Sequence, residues 1–333
     1  MTSTPACPAP AARGASGIDY AAEIERLRKE KNAVILAHYY QAAEIQDLAD
    51  FIGDSLDLSR KAAATEADMI VFCGVRFMGE VAKILSPQKK VVIPDMEAGC
   101  SLEEACPADQ LRKFREEHPD HLVVTYINSS VETKALSDYI VTSSSALDIL
   151  AAIPEDRPIL FAPDRHLGSW VKRQTGRDMT LWPGSCIVHE DFSEEGLLEL
   201  KKKLPHAPVA AHPECPFSIL RHADHVGSTT SIIDFVRRRP EKEFIIATEK
   251  HIFHQMAKEN PDKVFHAAPG AMDGDCKCAE CPYMALNTLE KVWLALRDET
   301  PEIVIDEDLR IAALKPLQRM LDITAAKARK PAA

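Results

Sequence analysis

Three cysteines crowd into six positions of the stretch DGDCKCAECPYM: Cys276, Cys278 and Cys281. Thiols at such spacing hold a soft metal, form a redox pair, or stay as exposed thiols. A local zinc knot would need paired C-x2-C spacings and a fourth ligand, and the stretch offers neither. A second grouping reaches further along the chain. Cys100 in EAGCSLEEACP and Cys186 in WPGSCIVHE stand 86 positions apart, and Cys281 follows Cys186 by 95. Three thiols carried by related loops suit one shared centre, either zinc or an iron–sulfur cluster. A [4Fe–4S] cluster on three cysteines leaves one iron without a protein ligand, able to act as a Lewis acid on a substrate hydroxyl or carbonyl. Several of the nine cysteines are expected to be plain packing residues.

A second set of residues could do acid–base and binding chemistry. His38 and Tyr40 close the apolar run AVILAHYY, Tyr126 and Asn128 close LVVTYINSS, and His212 and Glu214 close PVAAHPEC. In parallel α/β sheets, binding groups gather in the loops at the carboxyl ends of the strands. Glu214 is the leading candidate for a general base, because an enclosed carboxylate can be tuned towards neutral pH. His212 points the same way on an extended chain and positions substrate. Tyr40 and Tyr126 can donate hydrogen bonds to oxyanions or move protons, and His38 can do either. VTSSSALDIL and VGSTTSIIDFV each read as a strand, a hydroxyl-rich turn and a helix. Such turns aim free N–H groups and the hydroxyls of Ser143, Ser228 and Thr229 at an anion, or else simply cap the helix. Arg76 in FCGVRFMGE is a further cation, for that anion or for a surface ion pair.

These residues must be positioned by repeated elements. Tyr126 to His212, Asn128 to Glu214, Asp138 to Asp224 and Ser143 to Thr229 all differ by 86. Short apolar runs alternate with helical patterns in three copies, which predicts an α/β fold: three pseudo-symmetric αβα domains, each with a small parallel sheet, around one central site. The expected boundaries are 18–105, 106–190 and 191–305, preceded by a disordered tail (1–17) and followed by a C-terminal helix and tail (306–333). The first copy fits less well, because QDLADFIGDSLDLSRKAAATEAD is longer than its counterparts. In 333 residues, 46% hydrophobic and 27% charged, there is room for two or three cores. A formal charge of −11 argues against a nucleic-acid partner. No apolar run is long enough for a membrane span. Nine cysteines without a secretion signal point to a reducing, cytoplasmic setting.

Read in order, ILAHYYQ, GDSLDLS, CGVRFMGEVAKILSP, PDMEAGCSL, YINSS, TSSSA, PDRHLG, HPEC, GSTTS and CPYMALN resemble the quinolinate synthase family over nearly all of residues 20–325. The resemblance implies three αβα domains around one oxygen-sensitive [4Fe–4S] cluster per chain, on Cys100, Cys186 and Cys281. It implies condensation of iminoaspartate with dihydroxyacetone phosphate to quinolinate, phosphate and water, in de novo NAD biosynthesis. The pocket positions that match are His38, Tyr40, Ser55, Tyr126, Asn128, Ser143, His189, His212, Glu214, Ser228 and Thr229. Iminoaspartate is unstable, so transient contact with the enzyme that produces it belongs to the same expectation. Where many relatives have C-x-x-C-x-x-C, this chain has C-x-C-x-x-C, which puts any disulfide role of Cys276 and Cys278 in doubt. A redox sensor, or another hydro-lyase with an open-iron cluster, would share the three cysteines. The sensor would not need His38, Tyr40, His212 and Glu214 beside two anion-binding turns.

Overall fold

A computed structural model describes residues 17–270 and 279–328. The expected tail up to residue 16, with Cys7, and the pair Cys276 and Cys278 lie outside the described residues. The fold is α/β, with three all-parallel four-stranded sheets flanked by helices. The first sheet holds β1 (Ala33–His38), β2 (Phe51–Gly53), β3 (Met69–Cys73) and β4 (Lys90–Val92), in the order β2-β1-β3-β4. The second holds β5 (Leu122–Tyr126), β6 (Tyr139–Val141), β7 (Ile159–Ala162) and β8 (Thr180–Leu181), in the order β6-β5-β7-β8. The third holds β9 (Val209–Ala211), β10 (His225–Val226), β11 (Glu243–Ala247) and β12 (Val264–Ala267), in the order β10-β9-β11-β12. Inner strands such as MIVFC are buried at every position, as sheets covered by helices on both faces require.

Each sheet has four strands. In the first copy the second of them is β2, inside the segment that looks like an insertion. Residues 69–73 and 90–92 are the third and fourth strands of their sheet. Once β2 is counted, the first copy falls into register. Asp50 stands 88 positions before Asp138, which stands 86 before Asp224. Each carboxylate accepts a hydrogen bond at 2.8 Å from the first strand of its own sheet, donated by the N–H of Ile35, Val123 and Val209 respectively. Each aspartate N–H donates back to the carbonyl of the same residue. This reciprocal clasp pins the start of the second strand beside the first, three times over.

The first two lobes share one apolar core. Phe72, Phe77 and Ile93 belong to the same packed cluster as Val124, Ile140 and Phe161, and the C-terminal helix Glu307–Ala328 adds Leu317 and Met320. The third lobe has its own two clusters, one on each face of its sheet. It meets the first lobe largely through polar groups. Gln46 donates to the His251 carbonyl at 3.0 Å, Gln255 donates to Gln46 at 2.9 Å, and Lys258 pairs with Asp47 at 2.8 Å. The stretch 289–305, expected within the third domain, returns to the first: Val292, Ala295 and Leu296 pack with Tyr20, Ile24 and Leu27. Its helix carries an apolar face that the first sheet covers. Among the described residues, no helix is long and apolar enough to cross a membrane.

Candidate active site

The clasp fixes the strand starts, and the strand ends then deliver equivalent residues to one place. His38 and Tyr126 end β1 and β5, and His212 directly follows β9. Two residues further on stand Tyr40, Asn128 and Glu214. The second strands lead into Ser55, Ser143 and Thr229, and the fourth strands into the loops of Cys100, Cys186 and Cys281. All twelve line one central cavity, together with His189. Of the residues predicted for the site, Ser228 is not on its wall. Its hydroxyl accepts from the Ser231 N–H at 3.3 Å as the cap of helix Thr229–Arg238, while Thr229 faces the cavity. Asp54 caps helix Ser55–Ala64 in the same way. Arg76 is not on the wall either; it donates to Glu103 at 2.6 Å.

The histidines are in defined protonation states. The Tyr40 N–H donates to His38 Nδ1 at 3.1 Å, and the Glu214 N–H donates to His212 Nδ1 at 3.4 Å. A nitrogen that accepts carries no proton, so each neutral ring presents Nε2–H. Burial pushes His38 down to about 3, and neighbouring His212 adds to this. Burial likewise pushes His212 down to about 4, against the pull of Glu214. Both are therefore neutral donors at pH 7. In the unfolded chain they accept protons near 6.5, so as pH falls from 7 to 5 the unfolded state gains protons that the folded state refuses. Their contribution to stability falls with it. Buried Asp54 and Glu80, pushed up by burial to about 6 and about 7, take up protons in the folded state over the same interval and work the other way. The rings are therefore read by difference: between pH 7 and 5 the denaturant midpoint of the His38→Gln/His212→Gln variant should fall less, or rise more, than that of the parent. Equal slopes would mean that the two rings are charged in the folded protein.

Glu214 is the acceptor at the end of a directed chain. Tyr126 O–H donates to its Oε1 at 2.6 Å, and His189 Nδ1 lies 2.8 Å from its Oε2. His189 Nε2 is 2.9 Å from the Thr248 hydroxyl, which is 2.6 Å from the Tyr40 hydroxyl. Proton donors can be assigned in one consistent direction: Tyr40 to Thr248, Thr248 to His189, His189 to Glu214. Burial opposes the charge on Glu214. Against burial, neighbouring His212 and His189, and then the hydrogen bonds from His189 and Tyr126, hold the carboxyl below the usual carboxylate range. That direction runs against the tuning towards neutrality that the sequence suggests, and the carboxylate faces His189. Burial, and next the charge on Glu214, push buried Asp164 well above the carboxylate range.

The three cavity thiols are pushed up by burial, Cys281 to about 11 and Cys100 and Cys186 further. Such thiols stay protonated and inert until a metal displaces the proton. Among the described residues, one group of three donor atoms lies within 4.8 Å of one another: Cys186, His189 and Glu214. The three cysteines face the same cavity without being gathered that closely, which suits a polynuclear cluster better than a single tetrahedral ion. Cys73, Cys106 and Cys215 are buried packing residues.

Thr248, Glu249, Asp54, Ser101 and Tyr283 also line the site or its relay and escape the sequence reading. Thr248 ends the run EFIIATEK, but its counterparts after β3 and β7 are Gly74 and Pro163, so comparison of the repeats gives no polar signal there.

Fold and site together define a three-lobed α/β protein whose lobes each supply a thiol and polar strand-end groups to one enclosed cavity. Residues 22–322 match the family model described as quinolinate synthetase A protein. The chain is 57% identical over 301 residues to a quinolinate synthase of Microcystis aeruginosa, covering 90% of this chain and 94% of that one. It is 56% identical to those of a Nostoc species (93% and 95% covered) and of Thermosynechococcus vestitus (92% and 96%). The chain belongs to the quinolinate synthetase A family.

Proposed function

We propose that the protein is a cytoplasmic quinolinate synthase of NAD biosynthesis, condensing iminoaspartate with dihydroxyacetone phosphate and releasing phosphate and two waters. The observation that carries this reading is the enclosed cavity in which three thiols, the Tyr40–Thr248–His189–Glu214 relay and two neutral histidine donors converge. Cys100, Cys186 and Cys281 would hold a [4Fe–4S] cluster. When bound, that cluster supplies a Lewis-acidic iron with no protein ligand. The remaining chemistry belongs to the chain. The Nε2–H groups of His38 and His212 donate to substrate carboxylate or phosphate oxygens. Ser55, Ser143 and Thr229, at the openings of helices, add hydroxyls where N–H groups favour an anion. Tyr40, at the open end of the relay, gives or takes the substrate proton, and His189 accepts it in turn because Glu214 stabilises the imidazolium. Buried Tyr126 holds Glu214 in place. Because iminoaspartate is short-lived, a transient contact with the enzyme that makes it goes with this reading.

The test is anaerobic turnover of iminoaspartate with dihydroxyacetone phosphate on protein assayed for metal and sulfide. Quinolinate formation with about four iron and four sulfide per chain supports the reading. A redox sensor would not turn over, and a different hydro-lyase would act on another substrate. One zinc per chain in fully active, air-stable protein would instead favour a single ion on Cys186, His189 and Glu214, which their mutual closeness permits.

The two kinds of hydroxyl at the turns should separate in kinetics. Ser143→Ala removes one hydrogen bond to a charged ligand, worth about 1.5–3 kcal/mol, and should raise KM roughly ten- to a hundredfold. Ser228→Ala removes a helix cap, worth about 0.5–2 kcal/mol, and should lower stability while leaving KM nearly unchanged. The reverse pattern would move the anion contact to Ser228.

A further inference from the structure

We propose that Ser101 and the pair Tyr283–Glu104 are positioning residues that lock the three cysteine loops into one closed ring. In this proposal the ring, as much as the thiols, determines how firmly the site keeps its cluster. The inference rests on the cluster reading above. Ser101 follows Cys100 and bridges both sides of Cys186: its hydroxyl accepts from the Ile187 N–H at 3.2 Å and donates to the Ser185 carbonyl at 3.4 Å. Tyr283, two residues after Cys281, donates from its hydroxyl to the Glu104 carboxylate, 3.0 Å from both oxygens. Glu104 lies on helix Ser101–Ala105, which Cys100 opens. The Tyr283 ring lies so close to Gly99 that a Cβ there would stand 3.3 Å from it. The end of β11 closes the circle. Thr248 holds His189 of the Cys186 loop at 2.9 Å, and neighbouring Glu249 accepts the Cys281 N–H at 3.3 Å.

Loops are the least constrained parts of a fold. A site built from three of them in three lobes gains little from thiols that drift apart once iron leaves. Groups that orient metal ligands typically change affinity about ten- to a hundredfold when removed. Ser101 and Tyr283 join loop to loop directly, so their loss should appear as faster iron release.

The experiment uses the full-length protein, loaded anaerobically and challenged with a ferrous chelator such as bipyridyl, with cluster absorbance and released iron followed in time. Tyr283→Phe and Ser101→Ala should each release iron about ten- to a hundredfold faster than the parent. Glu104→Gln, which keeps an acceptor, should stay near the parent, whereas Glu104→Ala should match Tyr283→Phe. The unloaded variants should unfold at the parental denaturant midpoint. If the parent itself loads no iron–sulfur cluster, the cluster reading falls and this proposal with it. If the parent loads and the variants release iron at its rate, the ring proposal alone is overturned. Faster release accompanied by an earlier unfolding midpoint in the unloaded variants would also overturn it, since general loosening then explains the loss. Should Ser101→Ala fail to fold, the Tyr283 and Glu104 variants decide.

Discussion

Glu214→Gln lowers kcat by about 10²–10⁴, the usual share of acid–base catalysis, in protein that still carries its full metal and folds normally. The expectation follows from two donors meeting at one carboxylate, Tyr126 O–H at Oε1 and His189 Nδ1 at Oε2. A carboxylate accepts both, whereas an amide presents N–H₂ to one of them. If the N–H₂ faces His189, the ring must carry its proton on Nε2 and can no longer accept from Thr248, as when a triad aspartate becomes asparagine. If it faces Tyr126, whose hydroxyl can accept, His189 keeps its partner but loses the anion that stabilises its imidazolium. Metal content, unfolding midpoint and kcat must be measured on one preparation, so that a folding defect cannot pass for a catalytic one. A kcat near that of the parent in fully loaded Glu214→Gln would release Glu214 and His189 from the proton path and leave His38 and Tyr40 to carry it.

Loss of any one cavity thiol has a larger effect still. Cys100→Ala, Cys186→Ala and Cys281→Ala should each abolish both the visible iron–sulfur absorbance and the activity, because a cluster held by two thiolates is poorly anchored. Cys276→Ala and Cys278→Ala should keep both. Retention of iron by Cys100→Ala, with its loss in the Cys276 or Cys278 variant, would replace the threefold centre with a local one on that segment.

The repeat was legible where side chains had to stay alike and illegible where only the backbone did. Asp138 and Asp224 mark their copies because each clasp needs a carboxylate; Asp50 does the same work, but the segment that holds it disguises its strand. β2 has three residues and β8 two, too short for any periodicity to register. Neighbouring strands and helices make them strands, not their own propensity. The polar strand ends stood out because three apolar runs stop at the same register. Thr248 did not, since glycine and proline occupy its counterparts. The Glu214 environment was beyond reach for a different reason. Whether an enclosed carboxylate rises or falls in pKa depends on which groups face it, and those include Tyr126 and His189, on another lobe of the fold.

The unequal joining of the lobes bears on how a substrate enters so closed a cavity. Separating the first two would expose the apolar core they share, at a cost proportional to the area laid bare. The third is attached mainly by hydrogen bonds and ion pairs, which water can replace, with Trp170, Tyr39 and Tyr40 as the apolar side chains that reach across. Among the described residues, the backbone crosses to it near residue 190 and is back against the first lobe by Met284, whose carbonyl accepts from Gln41, and Asn287, which donates to the Gly74 carbonyl. Breathing therefore concentrates at that seam, with the third lobe as the moving part and those two crossings as its hinge. Tyr40 and Tyr126 meet Thr248 and Glu214 across the same seam. An opening at that seam would part these pairs and interrupt the proton path until the lobe closed again.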